Sequence, residues 1–206
     1  MRNIRIESEA TPFSTPAIRD RAARVIAFAA TTGLLGNLGV RDLNATTWKA
    51  VVERLRSLDI GRMQGGVASS EHKRGAGVSS EVERIYDAIE ASPMPASEWA
   101  PMRDLLKDDL LERLLHVSRA SIQRYASGER DTPQDVAERL HTVALIVSDL
   151  AGSYNEFGIR RWFDRPRTQL AGKSPSAVLQ SDWRADDEAA RRVRALAATL
   201  AGVGLP

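Results

Sequence analysis

Cysteine is absent from the 206 residues, which removes disulfide frameworks and thiolate chemistry together. Histidine is scarce: His72, His116 and His141 do not have the spacing of a metal cluster. An excess of one charge is also missing. The formal net charge is only +2, so a uniformly cationic coat for nucleic acid is excluded, and any such binding must come from local patches. The longest apolar run, Val25 to Leu35, is broken by Thr31, Thr32 and Gly33 and is too short to span a bilayer. The first residues lack the basic-then-apolar layout of a signal peptide. There is no glycine-rich phosphate loop, no nucleophile elbow and no zinc-ligand spacing. These absences predict a cytoplasmic, soluble, non-enzymatic protein with no cofactor, no metal and no membrane partner.

The remainder is ordinary globular material, 43% hydrophobic and 27% charged, enough for one or two small cores. Strand-type alternation of useful length does not occur, while apolar residues recur at helical spacing, so the predicted fold class is all-α. The most informative stretch runs from Asp108 to Arg130. Leu110, Leu111, Leu114 and Leu115 form one apolar face, and a tight turn at His116–Ser118 follows. The Ser118 hydroxyl can cap a second helix by accepting an unpaired backbone N–H. Ile122 and Tyr125 face inward on that helix. Arg119, Ser121, Gln123 and Arg124 face outward, and Gly128 is a stop signal. The pattern is that of a helix-turn-helix: an outer rod of long donors held by a few apolar contacts.

Around this stretch the chain predicts four regions: an N-terminal helical segment (1–60), a linker (61–80), a helix-turn-helix domain (81–151) and a small all-α tail (152–206). Helices are expected from Pro16 to about Ala30 and from about Thr46 to Leu58, the second carrying Trp48 as a core anchor. Two such helices cannot bury both stripes alone, so they need a cover, from the rest of the chain or from a second copy. Ser80 and Glu83 are spaced as a capping box opening a helix with Val82, Ile85 and Ile89 inward. Pro93, Pro95 and Pro101 mark a turn. Thr132 and Pro133 open a long spine helix ending at Ala151–Gly152. The tail holds an aromatic helix from Gly158 to Phe163, a turn through Leu170, Gly172 and Pro175, and a last helix from about Asp187 to Leu200.

The helix-turn-helix followed by this tail resembles the Xre/MbcA/ParS-like antitoxin family. The family's tail pattern is a Gly-x-x-x-Trp-aromatic helix, a Leu-x-Gly-x-x-Pro turn and a Leu-rich helix, here Gly158 to Phe163, Leu170, Gly172, Pro175 and Leu179. The likeness covers roughly Ser97 to Gly202. It implies an antitoxin-type transcriptional regulator. Its N-terminal part would bind operator DNA, its tail would neutralise a cognate RES-domain toxin that degrades NAD, and it would dimerise on an inverted repeat.

Two residue groups carry the candidate interfaces. For DNA they are Ser118, Arg119, Ser121, Gln123, Arg124 and Arg130. Arg pairs two-pronged with guanine and Gln with adenine, while hydroxyls and the helix N-terminus suit phosphate. Residues 118–130 hold three Arg against one Glu, although Asp108, Asp109 and Glu112 on the preceding helix would repel phosphate if they faced it. For a protein partner they are Arg160, Arg161, Trp162, Arg165, Arg167 and Lys173, with Asp164 the sole acid among residues 160–173. Trp162 and Phe163 have core as their alternative. The alternative for the whole chain is a non-enzymatic scaffold that binds a partner protein without DNA.

Overall fold

Helices form wherever the apolar period is sustained. A computed structural model describes residues 8–9, 13, 15–36, 38, 40, 42–58, 60, 76–180 and 183–201. The fold is all-α. The only strands among the described residues are β1 (Ser8–Glu9) and β2 (Asp42–Leu43), a parallel pair of two residues each. Also among the described residues, no helix is long and apolar enough to cross a membrane. The chain divides into two compact units at Ser92/Pro93.

In the N-terminal unit, α1 (Pro16–Thr31) starts on a proline at its first position, where the missing N–H has no helical partner to lose. It buries Ile18, Ala22, Val25, Ile26 and Ala29. Asn44 caps α2 (Ala45–Ser57) by accepting from the Thr47 N–H at 3.0 Å. Trp48 is core: its ring meets Phe13 edge-on at 6.0 Å, and its Nε1–H donates to Glu81 at 3.1 Å. The cover α1 needs comes from α3 (Ala76–Ala91), which packs along it and buries Val82, Ile85 and Ile89, while α2 meets α3 through the bonds of Trp48 and Arg56 to Glu81. A second copy is not required for that purpose. Ser80 lies a turn inside α3 and donates to Gly77 C=O at 3.2 Å, so it is not the cap its spacing suggested. The expected linker lies outside the described residues for 61–75, and its last five residues belong to α3. The expected domain 81–151 therefore loses its first helix to the N-terminal unit. The sequence shows that α3 has an apolar stripe, but not which neighbour the stripe meets.

The C-terminal unit is built on α6 (Gln134–Ala151). From Val136 to Leu150 only Glu138 escapes burial. A helix buried on all sides must be wrapped, and α4 (Pro95–Leu115), α7 (Glu156–Asp164) and α9 (Glu188–Ala198) pack on it. Arg139, His141, Thr142 and Ser148, which it buries, each have a hydrogen-bond partner, as burial demands. The His141 Nδ1 lies 2.5 Å from the Glu98 carboxylate, both side chains inside. Arg139 bonds Asp135 and donates to Leu115 C=O at 2.9 Å. Residues 152–201 share this core rather than making one of their own: Ile159, Trp162, Phe163, Leu179, Trp183 and Val193 are all buried.

Pro101 does not mark a turn. It lies inside α4, although an interior proline costs a helix roughly 3 kcal/mol; the burial of Trp99 and Met102 beside it overrides that preference. The break comes later, at Lys107 (φ 67°, ψ 157°), between arms spanning 95–106 and 108–115. That backbone region is almost closed to residues with a Cβ and costs on the order of 1–3 kcal/mol. Lys107→Gly is therefore expected to raise stability by about 1 kcal/mol, the strain relief exceeding glycine's extra unfolded-state entropy. Urea melts of the two proteins check this.

Candidate functional site

The second arm of α4 ends at Leu115. His116 takes the left-handed conformation (φ 55°), Val117 follows, and Ser118 caps α5 (Arg119–Ser127). The Ser118 hydroxyl accepts from the Ser121 N–H at 3.2 Å. At the other end Gly128 (φ 74°) closes α5, where only glycine adopts the left-handed turn without cost. Three long-range donors fix the corner, and none of them is visible as a motif. Trp183 Nε1–H donates to Leu114 C=O at 2.8 Å and Arg139 to Leu115 C=O. His116 Nε2–H donates to Leu179 C=O at 2.9 Å, which fixes the tautomer. Two of the last carbonyls of the arm, which lack helical partners, are thus satisfied from elsewhere in the unit, Leu114 by Trp183 and Leu115 by Arg139 of α6.

Ile122 and Tyr125 hold the inner side of α5, with Tyr125 stacked on Trp99 at 6.0 Å. Trp99 Nε1–H in turn donates to Thr132 Oγ1, so Thr132 is used here and Pro133 takes the position before α6. The outer side carries Arg119, Gln123 and Arg124, all exposed, with Ser121 half-buried. The Gln123 and Arg124 side chains make no hydrogen bond or ion pair among the described residues. Arg130 lies over the Tyr125 ring at 5.7 Å, and its N–H donates to Arg124 C=O. All six residues expected at a DNA interface therefore fall on or beside one helix.

The acids that threatened this face are partly neutralised. Arg103 holds Asp108 with two bonds of 2.8 Å and keeps its carboxyl below the usual range; burial opposes, and Arg103 and Arg119 add their charge. Glu112 accepts from Arg119 at 3.1 Å. Asp109 remains exposed beside Lys107 and Asp104, at an open recess of about 710 Å³.

The expected partner residues separate. Trp162 is a correction: it is 1% exposed, edge-on to Phe163 at 5.2 Å and under the Arg167 guanidinium at 5.5 Å, so it is core and not a contact. Arg160 is another. Its Nη1 donates to Leu105 C=O at 2.8 Å, satisfying a carbonyl orphaned by the break at Lys107. Adjacent residues on a helix point about 100° apart, and only Arg161 faces out. It lies over the ring of Phe157, 60% exposed, at 5.7 Å. Phe157, which the sequence reading missed, is the aromatic side chain this surface offers. Its spacing of four from Arg161 was the available signal. Arg165 and Lys173 are exposed. Arg167 is half-buried, its backbone N–H bonded to Lys173 C=O at 3.0 Å.

Asp164 is tied to the body of the unit. It takes two bonds from Arg113 (2.9 and 3.1 Å) and one from the Ser176 hydroxyl (3.1 Å). The Arg113 bonds hold its carboxyl below the usual aspartate value, against burial and with help from Arg113 charge and Ser176. A carboxyl lowered in the folded state stabilises above its unfolded pKa of about 3.9, and that contribution disappears as pH falls through the lowered native value. The gap in melting temperature between the wild type and Asp164→Asn should thus be open at pH 6 and close below about pH 4. A thermal melt series across that range tests it.

Neither family models, curated proteins nor solved structures give a match to this chain. Among the described residues no group of three or more His, Asp or Glu side chains is arranged to hold a metal ion.

Proposed function

We propose that the chain is an antitoxin-type transcriptional regulator. The second arm of α4 and α5 act as a helix-turn-helix, with α5 as the helix that enters the major groove. The observation that carries this reading is the outer face of α5. Long donors stand exposed there, two of them uncommitted among the described residues, on a helix whose inner side and corner are fixed by buried contacts. Such a rod presents base-reading groups without first having to order its scaffold. A homodimer would set two such helices about 34 Å apart, one duplex turn, and so would read an inverted repeat. The test is a gel shift on the DNA upstream of its own gene. Sequence-specific retention that weakens steeply with salt supports the reading. Retention of no duplex at low salt would leave a protein-binding scaffold.

The tail surface is the proposed contact for the cognate RES-type toxin. Phe157 and Arg161 supply the kind of aromatic and arginine anchor that dominates protein interfaces, with Arg165 and Lys173 exposed nearby in sequence. Phe157→Ala with Arg161→Ala should weaken capture of the toxin by about tenfold or more, at roughly 1.4 kcal/mol per tenfold. The melting temperature should hardly move, because both side chains are exposed. Isothermal titration of the co-encoded toxin checks this.

A further inference from the structure

Carboxylates beside a DNA-reading helix weaken binding to every sequence by repelling phosphate, so Glu112 and Asp108 need a compensating use. The bonding pattern supplies one. Arg119 is the first residue of α5. Glu112, on the preceding arm of α4, accepts from its Nε at 3.1 Å. That bond engages one side of the guanidinium plane. The terminal nitrogens make no hydrogen bond or ion pair among the described residues. Asp108 is near enough to attract Arg119 and cannot itself turn away, because Arg103 grips it with two bonds of 2.8 Å. Arg103, Asp108, Arg119 and Glu112 thus form a short chain of alternating charge running from the first arm of α4 to the start of α5.

We propose that Glu112 is the positioning residue for Arg119, aiming its terminal fork at the O6 and N7 of a guanine. The proposal rests on reading α5 as the helix in the groove, and it names the base that helix selects. Two parallel N–H groups match the two acceptors of guanine; adenine offers N7 but presents an amino donor where O6 would be. A free arginine loses rotamer freedom when it binds. One held at Nε has lost part of it already, so less of the contact's free energy goes into ordering. The acid therefore exchanges general affinity for discrimination at one base pair.

The experiment uses the full chain. A random-sequence duplex library is selected on the wild type, and dissociation constants are then measured for the best site and for its guanine-to-adenine variants. The proteins are wild type, Glu112→Gln, Arg119→Ala and the double variant. The wild type should prefer guanine at one position per half-site by about tenfold, and Arg119→Ala should abolish the preference. Glu112→Gln should keep or raise affinity for non-specific duplex while losing most of that preference. In the double variant it should add nothing to Arg119→Ala. Uniformly tighter binding by Glu112→Gln, with the guanine preference intact, would make Glu112 a mere repelling charge and overturn the proposal. If the wild type selects no sequence at all, the reading of α5 fails first and the proposal falls with it. The near-isosteric exchange at a partly exposed side chain leaves the fold intact, which circular dichroism verifies.

Discussion

Trp162→Ala is expected to destabilise the C-terminal unit by about 3–5 kcal/mol, the usual cost of truncating a buried indole. The ring is 1% exposed, between Phe163 and the Arg167 guanidinium. The surrounding helices cannot all move in to fill the space, so a cavity term adds to the lost transfer free energy. Among the described residues the indole Nε1–H has no hydrogen-bond partner. Trp162→Phe therefore sacrifices no bond and should cost much less, within about 1–2 kcal/mol. Urea unfolding followed by circular dichroism distinguishes the two roles of this residue. A partner-contacting tryptophan would lose binding on truncation and leave the midpoint unchanged. A core tryptophan shifts the midpoint, and both variants together report how much of the shift is cavity.

Arg119→Ala with Arg124→Ala should lower affinity for the specific duplex by about 100-fold or more, since each good base contact contributes roughly 1–3 kcal/mol of discrimination. Both side chains are exposed, and neither holds a buried group, so the melting temperature should change little. Binding to random duplex should fall less, because other cations and the helix N-terminus still meet phosphate. Gln123→Ala alone should give a smaller loss confined to one position. A double variant that binds the selected duplex as tightly as the wild type would remove α5 from the interface.

Where burial is one-sided, the sequence was a good guide. The stripes Ala22, Val25, Ile26, Ala29 and Trp48, Val51, Val52, Leu55 are all inside, because a period of 3.6 is enough to name an inner face. The turn at His116–Ser118, its Ser118 cap and the Gly128 stop were legible for a similar reason: each is a local backbone requirement met by a local residue. Contacts over long sequence distances were not legible. Nothing in the spacing says that α3 packs on α1, that Trp183 and Arg139 close the end of α4, or that Arg160 serves Leu105. Pro101 misled because local propensity pointed one way and packing the other. The residues proposed to meet DNA lie on or beside one helix, so the helix keeps them together. The partner face was read from a run of arginines along the chain, and a helix distributes such a run around its axis, so Arg160 and Trp162 turned inward and Phe157 was overlooked.

The account depends most on α5 being the surface that meets nucleic acid. Amide hydrogen exchange on the full chain, with and without a saturating specific duplex, locates that surface directly. Slowed exchange concentrated in residues 118–130 is the predicted result. Protection that leaves those residues unchanged while the duplex is bound would contradict it.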